Sequence, residues 1–279
     1  MSEVLNALIL LVLLMLSAAF GMSVKVRLPE RHRSRETWDL VTLVVTMLVT
    51  FAALVMGLLT YSVKGGFDRD NADVAALAGQ IVQLDHSLRN YGPEALVARI
   101  ALRRYTESAI ASTWPGEPLP PGVEKRSLVV PTIPLGIESP RLGAVLNGVG
   151  QAIYHLAPND ALHRKLAASC IANYRNLVAA RWTLIEDARP TISVAFYVVL
   201  VFWLVVIFVC FGLNAPRTSF VFIIITLSAI SIVSAMFVIL EMDTPFTGYI
   251  LVSSHPMRNA LADITRSEPV VPPVLPGSG

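Results

Sequence analysis

Residues 192–240 read ISVAFYVVLVFWLVVIFVCFGLNAPRTSFVFIIITLSAISIVSAMFVIL, and this stretch decides the fold. It contains two apolar runs, Ile192–Leu213 and Phe220–Leu240, separated by a short link in which Pro216 interrupts helix formation. A run of about 20 apolar residues forms a helix long enough to cross a hydrocarbon core of roughly 30 Å. Because the link is so short, the two spans are predicted to be antiparallel neighbours.

Two further apolar runs, Val4–Val24 and Leu40–Val63, precede this pair, and none of the four contains Lys, Arg, Asp or Glu. No positive charge precedes the first run as it would in a secretory signal peptide, so we expect that run to be retained as a helix. Only 15% of the 279 residues are charged, against roughly 25% in soluble domains. The sequence therefore predicts an all-α polytopic membrane protein with four transmembrane helices, in contact with membrane lipid.

A polar segment separates the two pairs of runs, and its hydrophobic pattern has the spacing of helices. Val74, Leu77 and Ile81 repeat at helical intervals, and further helices are predicted at about 94–114, 140–156 and 159–187. The complete assignment is a first transmembrane pair at 1–63 with a basic loop at 25–39, a helical extramembrane domain at 64–191 with a Pro-rich loop at 115–140, a second transmembrane pair at 192–240, a post-span segment at 241–266 and a disordered tail at 267–279.

Several classes of function have no support in the sequence. The five histidines lack the spacing of metal ligands, and there is no phosphate-binding glycine loop or nucleophile elbow, so we expect neither an enzyme nor a bound metal or cofactor. A net charge of +2 without a basic stripe argues against a nucleic-acid partner. The spans contain no ionisable side chain, which favours a passive route over a proton-coupled pump.

The second apolar run carries a polar stripe. Side chains four residues apart drift only about 40° around a helix, so Thr42, Thr46 and Thr50 share one slowly turning face. Such a face suits the lining of a pore with a hydrophobic gate. It equally suits a helix–helix interface, in which small residues permit close approach. The pore-lining candidates are Thr42, Thr46, Thr50, Phe51, Leu54, Leu58 and Tyr61.

Acidic residues follow the second and fourth runs, whose ends lie on the same side of a four-span protein. Together they predict a negative vestibule that concentrates cations or an oxygen-ligand site for a hard divalent metal, or else ordinary helix capping and hydrated surface. The vestibule candidates are Asp68, Asp70, Asp73, Glu241 and Asp243.

The segment after the last span, Glu241-Met-Asp-Thr-Pro-Phe-Thr-Gly248, carries an Asp-x-Pro-Phe-x-Gly element formed by Asp243, Pro245, Phe246 and Gly248. Tyr105 also precedes a Trp114-Pro115 pair in the middle segment. In these motifs and in its layout, from about residue 5 to 261, the chain resembles the bacterial bestrophin-like proteins, a family related in layout to the bestrophin channels.

The resemblance implies a passive ion channel of the inner (plasma) membrane, built as a homo-oligomeric ring, a pentamer in bestrophins. It further implies that the second span lines the pore, with Phe51 as the candidate for a hydrophobic neck, and that the middle domain is cytoplasmic. The positive-inside rule leans the other way, because the basic loop at 25–39 favours a cytoplasmic position for that loop. The alternative function is a non-conducting membrane scaffold or sensor whose middle domain binds a partner through the loop at 115–140.

Overall fold

The protein is described by a computed structural model that covers residues 2–27, 35–119, 138–189, 192–216 and 218–266. Within these ranges the chain is helical and contains no strand, which confirms the all-α prediction. Residues 28–34 of the basic loop, residues 120–137 of the Pro-rich loop and the whole predicted tail lie outside the described residues. The helices are α1 (Ser2–Arg27), α2 (Arg35–Tyr91), α3 (Leu96–Thr113), α4 (Pro140–Tyr154), α5 (Ala161–Asp187), α6 (Val194–Asn214), α7 (Ser219–Met242) and α8 (His255–Arg266), with a short 3-10 helix at Pro93–Ala95.

Four of these helices, α1, α2, α6 and α7, are long and apolar enough to cross a membrane. They match the four runs predicted from the sequence, with α6 beginning two residues after its run, so the four-span architecture is confirmed. Helix α2 differs from the other three because it has 57 residues and extends well beyond its apolar run. At 1.5 Å per residue it measures about 85 Å, nearly three times the thickness of a hydrocarbon core. The span and the first predicted helix of the middle segment are therefore one uninterrupted element.

The chain divides into two compact units. The first comprises residues 1–68 and 189–251, and the second comprises residues 69–188 and 252–279. The predicted domain limits, with a middle domain at 64–191, stay a prediction. The positions of the membrane surfaces along the chain stay a prediction.

In the first unit, α1 packs along both α6 and α7. The contact between α1 and α6 is close because glycines stand where the backbones meet. A Cβ at Gly212 would fall on the carbonyl oxygen of Ala18, and a Cβ at Gly21 would fall on that of Val209. Close approach of small residues is a principal source of helix association in lipid, where apolar side chains gain little from burial. The apolar core around this contact includes Leu14, Leu204, Phe208, Ala229 and Met236.

In the second unit, α3 packs against both α4 and α8, and α4 packs against α5. The extramembrane part of α2 contributes Leu77, Ile81, Leu84 and Leu88, all fully buried. A buried ion pair joins α2 to α3, with the Nε of Arg99 2.8 Å from a carboxylate oxygen of Asp85. The described helices of this unit are thus held together by apolar packing and by this ion pair.

Candidate functional site

The apolar part of α2 packs against the first unit with one face only. Ala52 and Val63 are buried in the core, and Leu48, Val55 and Leu59 pack against it. At 100° per residue these five positions lie within an arc of about 80° on the helix surface. The rest of the span is largely exposed in the protomer.

The polar stripe lies on the opposite side of α2 from this packed face. Thr46, Thr50 and Tyr61 project between about 120° and 180° away from Ala52. Tyr61 is 81% exposed, and a Cβ added at Gly57 on the same side meets no atom within 4 Å. The candidate pore face therefore makes little contact with its own protomer and is available to a neighbouring subunit, to lipid or to a pore.

The threonine hydroxyls on this face bond to their own helix. The Oγ1 of Thr46 donates to the Thr42 carbonyl at 2.8 Å, and the Oγ1 of Thr50 donates to the Thr46 carbonyl at 2.9 Å. The hydroxyl proton is satisfied, and the oxygen retains a lone pair directed outward. The stripe is thus mildly polar without an unsatisfied donor, which is compatible with lipid, with a helix interface and with a pore.

Phe51 lies at the edge of the face. Its ring is 6.5 Å from that of Trp203 on α6, with the planes inclined at 47°, and the residue remains 49% exposed. This aromatic contact restricts the ring from one side. Leu54 and Leu58, the other gate candidates, are 60% and 61% exposed. The three apolar candidates therefore flank the hydroxyl stripe on one side.

Thr42 and Thr46 also border a groove of about 220 Å³ between α2 and α6. The other lining residues are Val41, Val45, Val49, Cys210, Phe211 and Asn214. The sequence analysis did not find this groove, because nothing in the apolar runs indicates that α2 and α6 are neighbours.

The acidic candidates at the end of α7 have structural partners. Glu241 is fully buried, and its Oε2 accepts a hydrogen bond of 2.6 Å from the backbone N–H of Tyr249. The chain turns around this carboxylate at Gly248, whose φ of +103° is rarely adopted by other residues. A Cβ at Gly248 would collide with the Glu241 carboxylate. The Asp-x-Pro-Phe-x-Gly element thus forms a loop folded around Glu241.

Asp243 joins the two ends of the second transmembrane pair. Its Oδ1 accepts a hydrogen bond of 3.2 Å from the backbone N–H of Ile192, next to the start of α6. The backbone N–H of Asp243 itself donates to the Ile239 carbonyl and extends the bonding of α7. Asp243 therefore connects the residues just before α6 to the C-terminal end of α7.

Asp70 and Asp73 lie in the second unit, near Asp187 at the C-terminal end of α5. Burial, together with the charges of Asp73 and Asp187, raises the pKa of Asp70 to about 6. Burial likewise raises the pKa of Asp73, helped by the charge of Asp187 and by a hydrogen bond between these two carboxyl groups. The sequence analysis missed Asp187, although an acid at the unfavourable end of a helix is itself a signal.

Asp68 differs from the other acids because it is exposed and pairs with Lys64 one turn earlier on α2. The five acids therefore occupy three settings: the α7 loop, the α2–α5 contact and the exposed surface of α2. In the described ranges no three His, Cys, Asp or Glu side chains are arranged to hold a metal ion. A common vestibule formed by all five stays a prediction.

Tyr105 and Trp114, singled out with the Asp-x-Pro-Phe-x-Gly element, are both buried in the second unit. Burial raises the pKa of the Tyr105 phenol to about 12. The Nε1 of Trp114 donates to the carbonyl of Val252 at 2.8 Å. Nearby, Arg258 bonds to Glu117 through its Nε at 3.0 Å. These contacts attach the segment after the transmembrane pairs to the end of α3 and the start of the Pro-rich loop.

Comparison with known proteins agrees with this architecture. A family model described as the Bestrophin-like domain matches residues 12–257. Two mutant forms of a bacterial Bestrophin homolog from Klebsiella pneumoniae are structurally similar. One has a TM-score of 0.62 at 16% identity, covering 93% of this chain and 99% of that chain. The other has a TM-score of 0.61 at 16% identity, covering 92% and 98%.

A third crystal structure, of a mutant described only as a membrane protein, has a TM-score of 0.60 at 14% identity and covers 93% of this chain and 98% of that chain. Identities this low indicate a shared fold and no more. No curated protein sequence matches the chain.

Proposed function

Because this chain belongs to the bestrophin-like family, we propose that it is a passive ion channel in which several copies surround a pore lined by α2. The observation that supports this most directly is the arrangement of α2. Its apolar face packs on the protomer, and its stripe of hydroxyls and small residues faces away. In a ring with α2 innermost, that stripe would contact the permeating ion.

The proposal requires a ring because a protomer with four spans is too narrow to enclose a water-filled route. Side chains fill the space around α1, α6 and α7, including the fully buried Leu14 and Phe208. The proposed channel therefore forms only between protomers, as a homo-oligomer, with a pentamer as the expected size. The proposed location is the inner membrane, with the second unit in the cytoplasm.

The proposed lining consists of Thr50, Leu54, Leu58 and Tyr61, with Phe51, Thr42 and Thr46 at its margin. Phe51, Leu54 and Leu58 would form the neck, an apolar constriction of the pore that conducts ions only when water fills it. We also propose that the exposed carboxylate of Asp68 contributes negative charge near the pore entrance. No catalytic role is proposed for any residue.

The first test is ion flux through purified protein in liposomes, with chloride compared with potassium. Phe51→Ala should increase flux by widening the neck, and Phe51→Trp should decrease it. Phe222→Ala is the matched control, since Phe222 is a similarly exposed phenylalanine on α7 and is outside the proposed lining. Equal flux in all three variants and the wild type would remove Phe51 from the pore.

A charge placed on the stripe gives a second, independent test. Thr50→Lys should insert normally and shift selectivity toward anions, because a pore-facing ammonium remains hydrated. Thr226→Lys on α7 is the control. Thr226 makes the same hydroxyl-to-carbonyl bond on its own helix, but a lysine there faces lipid or protein and costs about 3 kcal/mol. Poor insertion of both variants would indicate that Thr50 is not in a water-filled route.

A non-conducting scaffold or sensor is the second candidate. It is favoured by an apolar patch on α3 in the extramembrane unit, formed by Leu96, Val97 and Ile100, of which Val97 is 70% exposed. Such a patch outside the membrane is typical of a protein–protein contact. No flux of either ion from folded, inserted protein would favour this candidate. Loss of partner capture in Val97→Asp with flux unchanged would assign the patch to a separate role.

A further inference from the structure

The groove between α2 and α6 is mainly apolar. Three valines of α2, with Phe211 and Cys210 of α6, form five of its eight lining residues, and the others are Thr42, Thr46 and Asn214. The Thr46 hydroxyl donates its proton to the Thr42 carbonyl, so a molecule bound in the groove does not need to accept a hydrogen bond from it. Both helices are candidate membrane spans, and the groove lies along the apolar run of α2. A hydrocarbon chain suits such a slot better than water or an ion does.

One end of the groove is positively charged. Asn214, which lines the groove, is the last residue of α6, and its carbonyl lies 3.4 Å from the Nζ of Lys25. The same ammonium donates to the carbonyl of Ala215 at 2.9 Å. Lys25 is thereby held at the end of α6, where the negative end of the helix dipole favours a cation. The exposed Arg27 follows two residues later on α1.

We propose that this groove is a binding site for an anionic phospholipid, with one acyl chain between α2 and α6 and the phosphate at Lys25. An apolar slot that ends beside an ammonium group matches the two parts of such a lipid, and basic sites between spans are a recurrent means of headgroup recognition. The proposal does not depend on conduction. The acyl chain of the lipid would cover Thr42 and Thr46 on the side that faces the groove, and it would leave Thr50 and Tyr61 uncovered.

The test is retention of lipid by the purified full-length protein in detergent, measured by native mass spectrometry with added dioleoylphosphatidylglycerol. Val45→Trp fills the groove and should lower retention about fivefold. Val44→Trp is the matched control, because Val44 is adjacent on α2, is 48% exposed and lies outside the groove. If Val45→Trp does not insert, Cys210→Leu reduces the groove from the α6 side. Equal retention in the filled and control variants would overturn the site.

Lys25→Gln tests the headgroup assignment separately. It should lower retention of dioleoylphosphatidylglycerol and leave unchanged the retention of dioleoylglycerol, which has the same chains and no phosphate. If Lys25→Gln retains phosphatidylglycerol like the wild type, the phosphate does not lie at Lys25. If neither lipid is retained by the wild type while the protein conducts ions, the groove proposal fails and the proposed channel stands.

Discussion

Gly248 is the residue on which the loop after α7 depends most. Its φ of +103° disfavours any side chain, and an added Cβ would occupy the position of the Glu241 carboxylate. Gly248→Ala should therefore destabilise the protein by about 2 kcal/mol or more, since backbone strain and displacement of a buried carboxylate add together. The measurement is the thermal unfolding midpoint in detergent.

Gly79→Ala is the control for this prediction. Gly79 is exposed on α2, and a Cβ there meets nothing within 4 Å. Alanine is the better helix former by up to about 1 kcal/mol, so this variant should be unchanged or slightly more stable. A Gly248→Ala protein as stable as the wild type would mean that the loop does not enclose Glu241 as described.

Asp70 should make stability depend on pH. Its pKa of about 6 in the folded protein exceeds the ordinary value of 3.8, so the folded state holds the proton more tightly than the unfolded chain does. The resulting stabilisation is complete below about pH 4 and is lost as the pH rises through 6. Asp70→Asn should therefore increase the free energy of unfolding at pH 8 by about 1–3 kcal/mol and change it little at pH 4. The measurement is the thermal unfolding midpoint at the two pH values.

Asp68→Asn provides the comparison on the same helix. Asp68 is exposed and paired only across one helical turn, and such surface pairs contribute little to stability. Its unfolding midpoint should stay near that of the wild type at pH 8. If Asp70→Asn is no more stable than Asp68→Asn at pH 8, the buried carboxyl group of Asp70 does not oppose folding.

At the scale of elements, the crossing of α1 and α6 is the contact most sensitive to side-chain size. Gly212→Val would insert atoms into the carbonyl of Ala18 and force the two backbones apart. The expected result is a clear loss of folded protein, measured by the unfolding midpoint and by monodispersity in detergent. Gly57→Val is the control, because Gly57 is also within a span but has open space around it. A tolerated Gly212→Val would show that the helices are not in backbone contact.

The elements themselves were more predictable than their contacts. Four uncharged runs were enough to predict the spans, because the bilayer sets a minimum length and forbids unpaired backbone groups. The helix predicted around Val74, Leu77 and Ile81 proved to be the continuation of α2, because residues 64–71 contain no proline and the Gly65-Gly66 pair lies within the helix without ending it. The α1–α6 crossing was not predicted, because a single glycine in an apolar run does not identify its partner.

At the scale of the whole molecule, the channel proposal requires a stable ring. The protein purified in mild detergent should elute as a single species with a mass that is a fixed multiple of the protomer, five by expectation. The physical reason is the exposed stripe on α2, which a ring would cover or turn toward a pore. A stable monomer in several detergents and in nanodiscs would exclude the channel and favour the scaffold.

Candidate residues were harder to predict than architecture because exposure and partners depend on tertiary contacts. The spacing of Thr42, Thr46 and Thr50 predicted a common face, but only Thr50 is turned fully away from the core, since Thr42 and Thr46 border the groove against α6. The spacing of the acids gave no indication that Glu241 is enclosed by its own loop or that Asp70 is buried beside Asp187. Charge in a sequence predicts an acidic surface only where the fold leaves it exposed.

The contact between α1 and α6 also fixes an order of events during synthesis. Helix α6 begins almost 170 residues after α1 ends, and ribosomes add roughly 5–20 residues each second. The first span must therefore wait on the order of ten to thirty seconds in the bilayer before the surface that fits Gly21 has been made. Throughout that interval another nascent copy's α6 can occupy the same place, so crowded polysomes should favour exchange of this helix between chains.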